Sequence, residues 1–446
     1  MNYELCINDN VKDFIKKHLN DDINKLALSK FPEGVDKQFV IRQIQARQVL
    51  SKKLPSWAEN DELIFPKKLS LEQCSSELTA KYKTSLSTNP HEMPRKEFSE
   101  DLCDLVDKER ILVDLTGGMG VDTSFLSDNF DKTYYVEMQE ELCEIAQHNF
   151  KILNKNIEVV NDSAEHFLTT CDKVDCIYLD PARRDEYGRK MVSLHDCSPD
   201  VVELHDILLK KTKKVLVKVS PMLDIEMIKK ELKDITEIHV VAVRNECKEI
   251  LLEIQKFRNS ETQNLSNSAT QQLRILATDL RENWSFSFTE DEERDAQWTL
   301  TDGVGKYLYE PNVACMKAGC FKLLSQRYKL DKLHRNSHLY TSDELVSDFP
   351  GRIFEVINAV PFDKKTKKEI TLRCRQTTDN GQQTLEESSK LKAQGSRLKA
   401  SVATRNFPLS ADELRKNLGL QDGNDFYIFG TTMKGEKKIV VLARKA

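Results

Sequence analysis

Short apolar runs alternate with amphipathic stretches of helix length along the middle of the chain. The apolar runs lie at 111–115, 133–137, 157–160, 174–179 and 214–220. This alternation predicts an α/β fold in which right-handed βαβ units build a parallel sheet. Two further strand-like runs, EIHVVAV (237–243) and KEILLEI (248–254), are separated by only four residues. We therefore expect the sheet to end with an antiparallel hairpin.

The segments on either side of this sheet follow other patterns. VDKQFVIRQIQARQVLSKKL (35–54) has apolar residues near a period of 3.6, which predicts a helix that ends before Pro55. A second helix is predicted within 69–87, capped by Ser75 or Ser76. These helices define a helical N-terminal region at 1–98, which precedes an α/β domain at 99–258.

Two smaller domains are predicted after the α/β domain. The polar segment 259–275 is interpreted as a linker, and an α+β region follows at 276–362. The remainder, 363–446, is interpreted as a separate small domain. Its predicted elements are strands at 370–375, 426–432 and 438–443 and a helix at 410–418.

Composition narrows the class of protein. The 446 residues are 39% hydrophobic and 31% charged, as in ordinary globular proteins. We find no apolar run long enough to span a membrane and no secretory leader at the N-terminus. The 11 cysteines are scattered singly without a CxxC pair, which favours a reducing compartment and argues against a zinc site. We therefore expect a cytoplasmic protein with no membrane partner and no metal, and the oligomeric state stays open.

Charge is distributed unevenly. Residues 363–446 contain 18 Lys and Arg against 10 Asp and Glu, a net charge of +8. Since the whole chain has a net charge of −5, the rest has a net charge of −13. A basic terminus on an acidic body indicates either a polyanion partner or an ordinary solvated surface, and charge alone does not decide between them.

A glycine-rich turn follows the first predicted strand, in ILVDLTGGMGVDT (111–123). Three of the chain's 15 glycines, Gly117, Gly118 and Gly120, lie within four positions. Glycine permits both a sharp turn and close approach of a ligand to the backbone, so the turn predicts a nucleotide-type site. A dinucleotide motif would need glycine at 123, where Thr123 stands. Asp114 followed by the turn fits an S-adenosylmethionine site better.

The ends of the next strands carry further polar residues. Glu137 ends the second strand and could bind ribose hydroxyls in either class of site, whereas Asp162 and Ser163, after the third, could meet an adenine. The fourth strand runs into Asp180 and Pro181, which would place a carboxylate and a rigid carbonyl beside a transferable methyl group. Dehydrogenases have no use for that arrangement, so the sequence predicts a methyltransferase.

The chain resembles a bacterial family, the class I S-adenosylmethionine-dependent methyltransferases with a C-terminal THUMP-like domain, whose substrates are mostly unassigned. The resemblance covers nearly the whole chain. It is based on LEQCSSELTAKYK (71–83), DLTGGMGVDTSFLS (114–127), LDPARR (179–184), KVSPMLDI (218–225), EPNVACMKAG (310–319), HRNSHLYTSD (334–343), DFPGR (348–352) and ATRNFPLSADELRK (403–416). It implies a Rossmann-like methyltransferase core, a ferredoxin-like domain at 276–362 and a THUMP-like domain at 363–446.

The resemblance also implies roles for individual residues. Asp114 would bind the ammonium group of S-adenosylmethionine, and backbone N–H groups around the turn would bind its carboxylate. The implied cofactor-binding residues are Thr79, Lys83, Asp114, Thr116, Gly117, Gly118, Gly120, Asp122, Glu137, Met138, Asp162 and Ser163. We expect Asp180, assisted by the Pro181 carbonyl, to orient the acceptor, with Lys218 and Ser220 lining the acceptor side. Arg183 is included among the candidate catalytic residues because it could stack on a base or hold a phosphate.

Related base-amino methyltransferases carry Pro and an aromatic residue where this chain has Ala182 and Arg183. The acceptor atom therefore stays open. THUMP domains bind structured RNA, so the resemblance implies methylation of tRNA or rRNA. The candidate phosphate contacts are Arg373, Arg375, Lys392, Arg397, Lys399 and Arg405. A methyltransferase for a small molecule or protein, and a non-catalytic S-adenosylmethionine- or RNA-binding module, are the alternatives.

Overall fold

The structure is a computed structural model that describes residues 8–31, 35–88, 109–183, 193–256, 272–379 and 398–446. The chain divides into two compact units. The first contains Met1–Val241 with Lys248–Leu273, and the second contains Ala242–Cys247 with Arg274–Ala446. The predicted α/β domain thus lies almost entirely in the first unit.

The elements of the first unit begin with a series of helices. Its helices are α1 (Asp9–Lys17), α2 (Ile23–Ala27), α3 (Lys37–Leu50), α4 (Pro55–Ala58), α5 (Lys68–Gln73), α6 (Glu77–Leu86), α7 (Val121–Leu126), α8 (Glu140–Ile152), α9 (Ala164–Thr170), α10 (Val201–Lys211) and α11 (Ile225–Glu231). Its strands are β1 (Ile111–Asp114), β2 (Lys132–Glu137), β3 (Ile157–Asn161), β4 (Cys176–Leu179), β5 (Ala182–Arg183), β6 (Cys197–Ser198), β7 (Val215–Val219), β8 (Ile235–Val243) and β9 (Glu246–Ile254).

The main strands of the first unit follow the order β3-β2-β1-β4-β7-β9-β8. Strands β1, β2, β3, β4 and β7 pair in parallel, whereas β9 pairs antiparallel with β7. The parallel strands begin and end within two residues of the predicted apolar runs. The chain moves from β1 out to β3 and returns to β4 on the other side of β1. The predicted Rossmann-like sheet is confirmed, with its switch point between β1 and β4.

The turn of the terminal hairpin has two residues rather than the four that the sequence indicated. Arg244 and Asn245 form its whole turn, with φ angles of 54° and 59°. Two consecutive left-handed residues give a turn whose twist matches that of the two strands. The strands therefore extend further than predicted, and Glu246 and Cys247 belong to β9.

The N-terminal region is helical, as predicted. Helix α6 begins after Ser76, whose hydroxyl accepts a hydrogen bond from the Thr79 backbone N–H, while the Thr79 hydroxyl accepts one from the Ser76 N–H. This reciprocal cap fixes the start of the helix. Of the two predicted caps, Ser76 is the one that the structure uses.

The second unit contains two groups of paired strands. Its strands are β10 (Arg274–Asp279), β11 (Trp284–Thr289), β12 (Tyr307–Pro311), β13 (Asp331–Lys332), β14 (Tyr340–Ser342), β15 (Gly351–Pro361), β16 (Lys399–Arg405), β17 (Gln421–Thr432) and β18 (Lys438–Lys445). Its helices are α12 (Glu290–Asp295), α13 (Val313–Ala318), α14 (Phe321–Tyr328), α15 (Thr366–Asp379) and α16 (Ala411–Leu418). The linker predicted at 259–275 lies mostly outside the described residues.

One sheet runs through most of the second unit, in the order β13-β14-β12-β15-β18-β17-β16. Its central strand β15 pairs antiparallel with β12 on one side and with β18 on the other. The predicted domain boundary after residue 362 therefore comes directly after a strand that both regions share. The two regions are joined through this sheet rather than separate.

The strand predicted at 370–375 is wrong, because these residues lie in helix α15. Alternation in a strand would place Ile370, Leu372 and Cys374 on one face. Ile370 and Cys374 are instead buried, four residues apart, while Leu372 is 53% exposed. That spacing is helical, and the apolar pair packs in the core beneath β16, β17 and β18.

Among the described residues, every helix is too short or too polar to cross a bilayer.

Candidate functional site

A cavity of about 250 Å³ opens at the carboxyl edge of β1, β2 and β4, beside the switch point of the sheet. Its walls come from the segment before α6, the glycine-rich turn, the end of β2 and the ends of β4 and β6. The lining contains five carboxylates and, among the described residues, no Lys, Arg or His. The carboxylates are those of Asp114, Asp122, Glu137, Glu165 and Asp180.

The glycine-rich turn forms one wall and packs tightly on aromatic rings. A Cβ atom at Gly117 would lie 2.2 Å from the ring of Tyr135, and one at Gly120 would lie 2.8 Å from Phe150. Gly120 also has a φ of +82°, which side chains rarely adopt. Glycine is therefore required here for the close packing of the protein itself, as well as for access to the backbone.

The end of β2 supplies a polar and an apolar surface. The Glu137 carboxylate accepts hydrogen bonds from the backbone N–H of Gly118 at 3.0 Å and of Gln139 at 2.9 Å. Beside it, Met138 is 65% exposed, although it lines the cavity together with Leu142. A carboxylate next to an exposed apolar side chain can hold a ligand that has hydroxyl groups and a flat apolar face.

Asp114 lies at the end of β1 and is almost fully buried. Its carboxylate accepts hydrogen bonds from the Thr116 backbone N–H at 3.0 Å and from the Thr123 hydroxyl at 2.5 Å. Burial nevertheless raises the pKa of Asp114 to about 7, because desolvation outweighs these bonds. Near neutral pH, the carboxyl group is thus balanced between its neutral and charged forms.

Asp122, in the first turn of α7, lies on the cavity floor. One of its oxygens, Oδ2, accepts hydrogen bonds from the Ser75 and Tyr178 hydroxyls at 2.7 and 2.8 Å. The other, Oδ1, is buried, lies 3.3 Å from Lys83 Nζ and takes no hydrogen bond within the described part of the chain. Burial would raise the pKa of Asp122, but the ammonium groups of Lys83 and Lys218 outweigh it and lower that pKa. Asp122 is therefore ionised, and its Oδ1 is ion-paired with Lys83.

Lys83 lies behind this floor and has no exposed side-chain surface. Its ammonium group donates to Glu249 of β9 at 2.8 and 3.0 Å and to the Ser75 hydroxyl at 3.0 Å. One ammonium group thus serves two carboxylates, those of Glu249 and Asp122. This cluster ties α6, α7 and the terminal hairpin together beneath the cavity.

Asp180 follows β4, on the other side of β1 from Glu137, and also lines the cavity. Its backbone N–H donates to the Thr116 hydroxyl at 2.6 Å, and its Oδ2 accepts a hydrogen bond from Lys218 Nζ. Burial would lower the pKa of Lys218, but the nearby carboxylates of Asp180, Asp122 and Glu249 raise it. Lys218 is therefore a permanent cation that holds Oδ2 of Asp180, and within the described ranges Oδ1 accepts no hydrogen bond.

A short antiparallel ribbon borders the same end of the cavity. Strand β5 pairs with β6, with Ala182 opposite Ser198. Ala182, Ser198 and Pro199 line the cavity next to Asp180. These residues give the Asp180 end a small, mostly uncharged surface.

The second unit has a different charged cluster. Glu310 at the end of β12 is buried and accepts hydrogen bonds from Arg352 and Arg405, at 2.8 and 3.0 Å. The two arginine side chains are 40% and 38% exposed. One carboxylate thus serves two cations, and the excess positive charge faces solvent.

Comparison with known proteins agrees with this architecture. Residues 307–350 match the model of a ferredoxin-like domain, and residues 384–445 match that of a THUMP domain-like family. The chain is 32% identical to a candidate methyltransferase from Porphyromonas gingivalis W83 of known crystal structure, with a TM-score of 0.77. The match covers 100% of this chain and 99% of the other. This chain belongs to the same family of class I methyltransferases.

More distant structures match about a third of the chain. An rRNA methylase from Streptococcus thermophilus and a candidate methyltransferase from Streptococcus mutans in complex with SAH are each 17% identical. Each match covers 34% of this chain and 90% of the other, with a TM-score of 0.27. A search of the curated proteins finds no significant match.

The structure of this chain brings most of the predicted cofactor residues to one cavity. The lining includes Asp114, Thr116, Gly117, Gly118, Gly120, Asp122, Glu137 and Met138. Asp180, predicted to be catalytic, lines its other end. Pro181 follows directly, and Arg183 lies in β5.

Four predicted cofactor residues do not line the cavity. Thr79 takes part in the cap of α6, and Lys83 lies behind the floor. Asp162 bonds to His166 at 2.6 Å, and Ser163 caps α9. The following residues, Ala164 and Glu165, line the cavity instead.

The predicted phosphate contacts are spread over the terminal region. Arg373 and Arg375 lie in α15, whereas Lys399 and Arg405 lie at the two ends of β16. Lys392 and Arg397 lie outside the described residues.

Sequence reasoning missed Ser75, Tyr178 and Glu249. Ser75 precedes the cap of α6, and Tyr178 is one residue of a fully buried strand, so neither has a distinguishing local pattern. Glu249 carried a weak signal, since it directly precedes the apolar run 250–252 of β9, where a charged side chain is buried.

Proposed function

We propose that this methyltransferase uses S-adenosylmethionine as its methyl donor and RNA as its acceptor. The observation that carries the donor assignment is the charge of the cavity, whose lining has five carboxylates and no basic side chain in the described ranges. S-adenosylmethionine carries a sulfonium, an ammonium and a single carboxylate, so it is a net cation. A cationic ligand offsets carboxylates that are otherwise costly to keep charged in a partly buried site.

The polar atoms of the cavity fit the donor. Asp122 lines the cavity as an ionised carboxylate, and its negative charge suits the ammonium group. Asp114 adds a second carboxylate nearby. Glu137 would bind the ribose hydroxyls, while Met138 and Leu142 would cover the adenine.

Asp180 is the residue that we assign to the acceptor. Lys218 and Thr116 hold its side chain and backbone, so its free oxygen is fixed before an acceptor arrives. When bound, S-adenosylmethionine supplies an activated methyl group for in-line displacement. The role of Asp180, assisted by the Pro181 carbonyl, is to hold and orient the acceptor's N–H or O–H group, since alignment supplies much of the rate.

The assignment of RNA as acceptor is supported by the second unit. Residues 363–446 have a net charge of +8, and 384–445 match a THUMP domain-like family. Arg352 and Arg405 present excess positive charge to solvent. Phosphate binding by such residues positions an RNA without reading its sequence. We propose tRNA or rRNA as the acceptor.

Transfer of a labelled methyl group tests the proposal. The full-length protein is incubated with labelled S-adenosylmethionine and total RNA from cells that lack it, with Asp180→Asn as the matched control. Label in RNA that disappears with the variant supports both parts. Label in protein or small molecules instead would contradict the RNA assignment, and donor binding without any transfer would contradict catalysis.

A further inference from the structure

A second group of potential ligands lies in the first unit, away from the cavity lining. Glu237 and His239 are two residues apart on β8, so they share one face of the sheet. Glu253 lies on the neighbouring strand β9. One side-chain donor atom from each residue lies within 4.8 Å of the others.

The imidazole of His239 is the central observation. The residue is 1% exposed, and its Nδ1 lies 2.9 Å from the Tyr82 hydroxyl. Its Nε2 is buried and has no hydrogen-bond partner in the described residues, although Glu237 Oε2 is 3.2 Å away. The carboxylate is thus close to this nitrogen but not in line to accept a hydrogen bond. A buried nitrogen aimed at two carboxylates and left unpaired needs an explanation.

The surrounding residues orient the three candidate ligands. Tyr82 fixes the His239 ring through Nδ1, which leaves Nε2 as the outward atom. Gln255 and Lys214 both approach the Glu253 carboxylate at Oε1, the lysine at 3.2 Å. Within the part of the chain that the structure describes, Oε2 takes neither of these contacts and is the oxygen available to a metal ion. Outer contacts of this kind are typical of metal ligands.

We propose that Glu237, His239 and Glu253 bind a divalent transition-metal ion of the zinc type. One imidazole nitrogen and two carboxylate oxygens suit such an ion, and water would complete the coordination. Two atoms bound to one zinc ion at about 2.1 Å lie about 3.4 Å apart at a tetrahedral angle. The 3.2 Å separation of His239 Nε2 from Glu237 Oε2 is close to that value.

The ion would have a structural role. The ion would hold the two strands of the terminal hairpin together. Through the contact of His239 with Tyr82 it would also stabilise α6, the helix that carries Lys83. Because Lys83 supports the cavity floor through Asp122, metal binding would stabilise the donor site from behind. The site itself does not depend on the proposed methyltransferase function.

Cobalt is a suitable probe because its visible spectrum reports its ligands. Full-length protein is freed of metal with a chelator and titrated with Co²⁺ alone. We expect one ion per chain, a d–d spectrum typical of nitrogen and oxygen ligands, and a rise in the melting temperature. Saturation of a cysteine site would give an intense sulfur-to-cobalt band in the near ultraviolet, and that result would overturn the assignment.

Variants test the individual ligands. Glu237→Gln changes a partly exposed side chain, so it should fold, and we expect it to weaken Co²⁺ binding by about 10- to 100-fold. His239→Gln should abolish the binding. His205→Gln, which changes a histidine that pairs with Asp206 and Asp234, is the matched control and should bind like the wild type. Unchanged binding by Glu237→Gln, or no binding by the wild type, would overturn the proposal.

Discussion

The two units of the chain contain buried charge clusters of opposite balance. In the first unit, one cation, Lys83, serves the carboxylates of Asp122 and Glu249. In the second, one carboxylate, Glu310, serves Arg352 and Arg405. The first cluster has an excess of negative charge beside a cavity, and the second has an excess of positive charge toward solvent. A small cation could neutralise the excess negative charge of the first cluster, and a polyanion could neutralise the excess positive charge of the second.

The largest expected effect comes from removing the cation of the first cluster. Lys83→Met leaves two buried carboxylates without their common partner, so we expect the free energy of unfolding to fall by about 3–5 kcal/mol. Chemical denaturation measures this change. The double variant Lys83→Met/Glu249→Gln should recover part of the loss, and equal stability of the single and double variants would show that the cluster is not coupled.

The second prediction separates the two ends of the cavity. Asp180→Asn removes the charge that orients the acceptor and should lower the rate of methyl transfer by about 10²- to 10³-fold. Its affinity for S-adenosylmethionine should stay within about twofold, because the donor contacts are elsewhere. Asp206→Asn, at a 91% exposed carboxylate, is the control. An equal loss of donor affinity would place Asp180 in the donor site instead.

The third prediction concerns pH. Because burial raises the pKa of Asp114 to about 7, its neutral form predominates below that pH and its charged form above it. Affinity for the cationic donor should therefore rise between pH 6 and 8, by up to about tenfold per pH unit below the pKa. Without donor, the sign for stability is opposite: the folded state favours the neutral form, so the contribution of Asp114 to stability falls as pH rises through about 7.

Asp114→Asn is the variant that isolates this effect. Its donor affinity should be weak and nearly independent of pH over the same range. Titration calorimetry at several pH values measures both proteins. A wild-type affinity that parallels the variant at every pH would contradict the role of Asp114.

The smallest expected effect is in the second unit. Arg352→Gln/Arg405→Gln, made and compared in a Glu310→Gln background so that no buried carboxylate loses its partners, should weaken RNA binding only severalfold. It should also reduce the slope of log affinity against log salt by about 0.7–0.9 for each phosphate that the variant no longer neutralises. Arg294→Gln, an exposed arginine that pairs with Asp291 and Asp295, is the control. An unchanged slope in the double variant would show that the positive cluster does not bind RNA.

The sheet of the first unit could be predicted because its central strands β1, β4 and β7 are buried on both faces, and even the half-buried edge strand β3 is rich in apolar residues. Each appears in the sequence as a short apolar run, and each polar residue that ends one lies at the same edge of the sheet. The sequence therefore predicts that Asp114, Glu137 and Asp180 lie close together, and all three line the cavity. The same reasoning predicts Asp162 at this site, but β3 is the edge strand and Asp162, at its end, does not line the cavity.

The two buried charge clusters, around Lys83 and around Glu310, could not be predicted from local sequence patterns. Lys83 and Glu249 are 166 residues apart, and their contact depends on how α6 packs on the terminal hairpin. Nothing in the sequence around Arg405 indicates that Glu310 is its partner. Helix α15 was misassigned because Ile370, Leu372 and Cys374 fit an alternating pattern as well as a helical one.

The central claim is that a cationic methyl donor binds in the carboxylate-lined cavity and pairs with Asp122. Calorimetric titration of ligand-free protein with S-adenosylmethionine, for the wild type and for Asp122→Asn, tests it directly. We predict a single site in the wild type and binding weakened by about 10- to 100-fold in the variant. No uptake by the wild type, or equal affinity in the two proteins, would contradict the claim.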